Sequence, residues 1–310
     1  MTKKFFTSLI AILFSACFLF HALTSAEENR PDSEGLEAGK EIEKIYDTLP
    51  QAKGNYKSSQ RPILIEGAMN IETEILVRAL KNPVLYQDLN YLFIAGSYEN
   101  YPVVIVRTEQ GMANAAASTA LAIKKFNPVA VINQGTSGGH DANIKVNDIV
   151  IGERYIDFTA IKTAYKAQGE GADLTDQEML GTFAYDKKTD TFQNCKEYFA
   201  DPTLLKISKA VADSHSEFKV VSGTISTSNA WLINVDYTNF LHEKYGSSCE
   251  EMETACVAQI CQNADLPFIG IRVLSDNILN NGAYTPEVAT TAQKFVLLVV
   301  EKYITDVLKK

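Results

Sequence analysis

The chain has 310 residues, 46% of them hydrophobic and 22% charged, with a formal net charge of −9. That is enough apolar material to bury a substantial core, in one large domain or two small ones. The acidic balance argues against a nucleic-acid partner, which would call for clustered Lys and Arg.

Residues 1–26 differ in character from the rest. Lys3 and Lys4 precede an almost unbroken apolar run from Phe5 to Leu23, and Thr24-Ser25-Ala26 offers small residues for cleavage. The segment reads as a secretory signal peptide, which places the mature protein in a secreted or periplasmic compartment. An uncleaved membrane anchor and a lipid-modified Cys17 are the alternatives. Residues 27–60 are polar, with Pro31, Gly35 and Gly39, and read as a tether outside the core carrying a short helix around Ala38–Leu49.

From residue 61 to 310 one domain is expected. Ile63-Leu64-Ile65 predicts a short buried strand, and Glu72–Leu80 a helix stopped before Pro83. Tyr91–Ser97 and Tyr101–Thr108 read as a hairpin, and Gly111 opens an alanine-rich helix over Met112–Phe126. Val129–Asn133 is the next apolar run, ending in a glycine-rich loop, and Asp148–Asp157 another strand. Residues 162–200 are polar and irregular, a lid or a surface insertion. A helix over Leu204–His215, a strand over Val220–Ser226, a helix over Glu251–Ala264, a strand over Phe268–Leu274 and a closing helix over Glu287–Leu308 complete the order. Short strands alternating with longer helices imply an α/β fold, a three-layer α/β/α sandwich on a central mixed, largely parallel sheet.

Four segments carry the chemistry. GAMNIE (67–72) follows the first strand, and Glu72 stands in the first turn of the next helix, where it would serve the helix dipole or a ligand. NQGTSGG (133–139) has the small side chains of an anion- or sugar-binding loop without the spacing of a P-loop lysine motif. EEMET (250–254) is expected to open a helix, with the adaptable Met252 between carboxylates, an arrangement that can clamp a ribose. RVLSD (272–276) ends a buried strand, so Asp276 lies at the carboxyl edge of the sheet, where α/β folds bind ligands. Partial burial there would raise its pKa and suit it to act as a general acid. Trp231 is either a core aromatic or a stacking platform for a base. The four histidines (21, 140, 215 and 242) have no metal-ligand spacing. Cys256 and Cys261 fit an apolar helical pattern as buried thiols, while a Cys195–Cys249 bridge is open.

In order along the chain, GAMNIE, QGMANAAAS, INQGTSGG, KVNDIVIG, SNAW, EEMETACVAQIC and PFIGIRVLSD resemble the 5′-methylthioadenosine/S-adenosylhomocysteine nucleosidases of the purine nucleoside phosphorylase superfamily. The resemblance runs from Ile63 to Leu308. It implies hydrolysis of the N-glycosidic bond of a purine nucleoside, with no metal and no cofactor, in a homodimer. It implies that Asp276 protonates N7 of the purine and that Ser275 orients its carboxyl. Glu253 would bind the ribose hydroxyls beside Glu251, with Met252 packed on the sugar. Glu72 would hold and deprotonate the attacking water, assisted by Arg272 and the Thr136 hydroxyl. Trp231 would stack on the base, with backbone near Leu232 at its edge, and Ala68, Met69 and Gly138 would line the pocket. The chain departs from the family in Ser228-Asn229 before the aromatic, in Thr136-Ser137, and in the length of residues 162–200. A phosphate-dependent phosphorylase and a non-catalytic nucleoside-binding protein are the competing readings. Glu72 and Glu109 would repel a phosphate nucleophile, which favours water.

Overall fold

The computed structural model describes residues 45–186 and 189–309. The expected signal peptide, Cys17 and most of the expected tether lie outside the described residues. In chain order the elements begin with strand β1 (Ile63–Gly67), helix α1 (Asn70–Ala79), β2 (Lys81–Asp88), β3 (Tyr91–Tyr98), β4 (Tyr101–Arg107), α2 (Met112–Phe126), β5 (Ala130–Gly139) and β6 (Ile149–Asp157). Small strands β7 (Ile161–Thr163), β8 (Gln177–Met179), β9 (Thr182–Asp186), β10 (Thr191–Cys195) and β11 (Tyr198–Phe199) follow. The chain then runs α3 (Pro202–Ser214), β12 (Val220–Thr227), α4 (Val235–Tyr245), β13 (Ser247–Glu251), α5 (Thr254–Asn263), β14 (Phe268–Asp276) and α6 (Ala289–Tyr303).

All five residues of β1 and all nine of β14 are buried, as befits strands covered on both faces. The architecture is the α/β/α sandwich on a mixed, largely parallel sheet. Helix α6 packs on α1 and α3 on one side, and α2 packs on α5 on the other. β1 pairs in parallel with β4 and β5, and β5 with β14. The sheet also closes partly on itself: β5, β14, β6, β12 and β13 each pair with the next, and β13 returns to β5 at Gly138 and Gly139. This ring brings the carboxyl ends of β5, β13 and β14 together.

Helix α1, which carries Glu72, is tied to α6 by one side chain. Gln293 is fully buried; its Oε1 accepts from the Ile75 N–H at 2.8 Å and its Nε2 donates to the Ile71 carbonyl at 2.8 Å.

Several expectations are corrected. NQGTSGG is not a loop but the outer half of β5. Its glycines serve close packing: a Cβ on Gly135 would stand 2.7 Å from Glu72 Oε1, and one on Gly139 2.3 Å from Asn277 Nδ2. Glu250 and Glu251 do not open a helix; they end strand β13, and α5 starts three residues later at Thr254. Lys81–Asp88 forms a strand despite Pro83, which is tolerated because β2 is the sheet edge. Within residues 45–60 the chain does not stand off the core. Tyr46 is buried and shares a 2.5 Å hydrogen bond with Thr73, and Tyr56 packs edge-on against Phe126. Its aromatics supply the apolar area that the polar composition concealed. Residues 162–200 hold two small hairpins, β7–β8 and β9–β10. Cys195, Cys249, Cys256 and Cys261 are free thiols, so the optional Cys195–Cys249 bridge is not formed; Cys249 is enclosed in the sheet.

Candidate active site

One cleft is lined by residues from all four motifs. β1 delivers Ala68, Met69 and Glu72 to one wall. β5 supplies Thr136 and Gly138 as the floor. β13 and the turn after it supply Glu251, Met252 and Glu253, and β14 ends on Ser275 and Asp276.

Glu72 is held by four donors. Its Oε2 accepts from the Ala68 and Met69 N–H groups at 2.9 and 3.1 Å, and its Oε1 from the Thr136 N–H and hydroxyl at 2.8 and 3.0 Å. The Met69 bond is the reciprocal arm of a capping box, so the side chain that starts α1 is the one aimed at β5. The side chain keeps one orientation because all of these donors are backbone or short side chains.

Asp276 is buried, and Ser275 donates to its Oδ1 at 2.9 Å. Burial pushes its carboxyl up to about 6, against hydrogen bonds from Ser275 and Trp231; the charge of Glu250 adds to the rise. A carboxyl so placed can carry a proton to a base nitrogen near neutral pH.

Glu253 Oε1 accepts from the Gly111 N–H at 2.8 Å. Burial, together with the neighbouring charges of Glu251 and Glu72, pushes it up to about 8, offset in part by Arg272.

Arg272 does not reach Glu72, as the expected assistance would require. It is 1% exposed and lies beneath the cleft, donating through Nη2 to Glu251 Oε2 at 2.5 Å and Asn133 Oδ1 at 2.5 Å; Glu253 Oε2 is 3.8 Å away. The reason is geometric: Arg272 sits in mid-β14, opposite Gly135 of β5, four residues short of the strand end. It is a positioning residue. Glu251, expected to touch substrate, spends its oxygens on Thr227, the Glu253 and Thr254 N–H groups and Arg272. Burial alone would raise its pKa, but Arg272 and these hydrogen bonds hold it below the usual carboxylate range. Trp231 is half exposed at the mouth, tilted against Tyr284 at 5.1 Å between ring centroids. Leu232, expected at the edge of the base, donates its backbone N–H to Glu250 Oε1 at 2.7 Å, and Met252 lines the cleft beside Glu253. Glu109 is not in this cleft; it pairs with Arg107 at 2.7 Å in a separate depression.

The phosphorylase superfamily profile matches residues 62–305. A 5′-methylthioadenosine/S-adenosylhomocysteine nucleosidase of Bacillus pumilus is 31% identical over 219 residues, covering 69% of this chain and 85% of its own. One from Shewanella frigidimarina is 30% identical, covering 70% of this chain and 86% of its own. The chain belongs to this nucleosidase family. Its members are N-glycosyl hydrolases. A solved nucleosidase of Colwellia psychrerythraea 34H, in complex with adenine, superposes with a TM-score of 0.63 at 25% identity, covering 80% of this chain and 97% of its own.

Against the family motifs, several lining or supporting residues escaped the sequence. Tyr284 and Gln110 line the cleft from loops that carry no local signal. Asn133 sits between Arg272 and Glu66, accepting from the first and donating to the second at 3.2 Å. Glu66 is fully buried, and burial pushes it up to about 7. Glu250, read only as one acid of a helix start, lines the cleft. A strand's two-residue alternation would have separated it from Glu251, had β13 been recognised.

Proposed function

We propose that this protein hydrolyses the N-glycosidic bond of 5′-methylthioadenosine, S-adenosylhomocysteine or a related purine nucleoside, releasing the free base. The observation that carries the reading is the convergence of Glu72, Glu253 and Asp276 on one cleft. Cleavage passes through a ribosyl cation, so the leaving base must be neutralised and positive charge on the sugar stabilised. Asp276 protonates N7. Glu253 binds the ribose hydroxyls, and Met252 packs on the sugar. Water sits on Glu72, which accepts its proton as the oxygen attacks C1′, while Thr136 holds Glu72 in place. Arg272 acts through Glu251, whose carboxylate it holds in the ionised form beneath the cleft.

The apolar leader supports export of the mature protein, and the family resemblance supports a homodimer. The half-exposed Trp231 and exposed Ile233 and Val235 beside the mouth give such a dimer an apolar surface to cover.

Purified protein in phosphate-free buffer should release free base and free sugar from 5′-methylthioadenosine or another purine nucleoside, read chromatographically. Asp276→Asn should lower kcat by about 10²–10⁴ with the fold retained, the usual size of general-acid assistance. Strict dependence on phosphate would replace hydrolysis by phosphorolysis.

A further inference from the structure

Glu250 is a buried carboxylate that the bond cleavage above does not use. β13 places it opposite Gly138, and β14 places Asp276 opposite the same glycine from the other side. A Cβ on Gly138 would stand 3.3 Å from Asp276 Oδ2 and 3.6 Å from Glu250 Oε1, so the two acids flank a single bare residue of the cleft floor. Glu250 is 5% exposed, and its Oε1 accepts from the Leu232 N–H at 2.7 Å. Its Oε2 turns away from the cleft, toward the Nε2 of buried His140 at 3.7 Å, and neither of these two atoms has a hydrogen-bond partner. His140 is held from behind, its Nδ1 paired with Ser247 Oγ at 2.8 Å.

Two like charges this close, both out of water, relieve each other when one acid takes a proton. The hydrogen bonds decide which one. Glu250 meets a backbone N–H, which can only donate and so favours the charged form. Asp276 meets the Ser275 hydroxyl, which also lies 3.2 Å from the Ser137 carbonyl. That hydroxyl can turn to the carbonyl and accept a proton carried by Asp276. The charge of Glu250 accordingly adds to the rise of the Asp276 carboxyl that burial begins, while His140, farther back, works against it. Tyr284 stands between Asp276 and Glu72. Beside Glu250 the other titratable groups are Tyr237 of α4 and, in its own strand, Cys249 and Glu251; burial raises the first two, so they stay neutral.

We propose that Glu250 is a positioning residue for proton transfer to the base: seated on the Leu232 N–H with His140 behind it, its carboxylate keeps the proton on Asp276 until a purine binds. This rests on Asp276 being the general acid and deepens that reading.

The test uses the full chain in phosphate-free buffer with 5′-methylthioadenosine. kcat/KM is followed from about pH 4 to 9, since that ratio reports ionisation of the free enzyme. Glu250→Gln removes the charge, keeps an acceptor for the Leu232 N–H and offers His140 Nε2 a donor. The alkaline limb set by Asp276, near 6 in the wild type, should move down by about one pH unit. Variant and wild type should then nearly meet at the acid end and differ by about tenfold above the limb. Each profile is scaled to its own plateau, so the shift is independent of how much variant folds. A limb that stays or moves up, or a loss equal at every pH, would overturn the proposal and leave Glu250 a structural residue. A second measurement needs no turnover: the ¹³C carboxyl titration of Asp276, assigned by its loss in Asp276→Asn, should fall by the same amount in Glu250→Gln. Failure to release base from any purine nucleoside would remove the hydrolase reading, while this titration still decides whether Glu250 holds the Asp276 proton.

Discussion

Two acids of the site, Glu253 and Asp276, are held against their own ionisation, and that has a cost that can be measured. Glu253 has an ordinary value of 4.5 and stands at about 8 in the folded protein, chiefly because it is buried. The unfolded chain therefore loses this proton at lower pH than the folded one. The stability linked to the protonated form is complete below 4.5 and is lost as pH rises through 8. Glutamine mimics the protonated acid, keeps an acceptor for the Gly111 N–H and does not titrate. Glu253→Gln should thus melt with the wild type at low pH and above it at high pH, while losing catalysis. A melting difference that is flat across the range would show that burial of Glu253 carries no such linkage. At this scale much was legible in the sequence. Glu72 and Asp276 follow apolar strands directly, and strand ends are where such folds expose chemistry. Glu250 was not legible, since three acids within four residues resemble an ordinary helix start. Arg272 was legible as a site residue but not in its role, because sequence does not say that Glu251 would claim it.

At the scale of elements, the local patterns that misled were those whose cause lies on a neighbour. SSCEE (247–251) has no apolar alternation, yet it is a strand, because β12 and β5 supply its backbone partners and His140 and Arg272 stand near its carboxylates. NQGTSGG lacks strand-forming side chains for the complementary reason, that Glu72 and Asn277 occupy the space those side chains would need. Helix α1 was read correctly from its own pattern, but its anchoring was not. Gln293, two hundred residues away, satisfies both the Ile75 N–H and the Ile71 carbonyl on the side of α1 that faces α6. Gln293→Leu should fill much the same volume and remove two hydrogen bonds between α6 and α1, at about 0.5–1.5 kcal/mol each. Chemical denaturation would read the loss. If α1 is what holds Glu72 against Thr136, kcat should fall as well, and an unchanged kcat in a destabilised protein would separate the two roles.

For the molecule as a whole, composition and the order of strand and helix signals were enough to give an α/β sandwich, because alternation of covered strands with longer helices permits few other solutions. They were not enough to show where the domain begins. Tyr46 is 3% exposed and lies against α1, its hydroxyl on Thr73 and its ring beneath the Arg107 guanidinium at 5.4 Å. Tyr46→Ala should cost about 3–5 kcal/mol, as large-to-small changes of buried aromatics do. A loss below 1 kcal/mol in urea titration would mean that the segment before Ile63 is dispensable. The ring formed by β5, β14, β6, β12 and β13 has a consequence for motion. β5 is flanked by β1, β14 and β13, so its amides should be among the last in the protein to trade hydrogen for deuterium, while the turn bearing Trp231 trades early. The floor under the reacting sugar is then the stiffest ground in the molecule and the doorway its softest. A nucleoside would enter past a yielding threshold and come to rest on a surface that does not adapt to it.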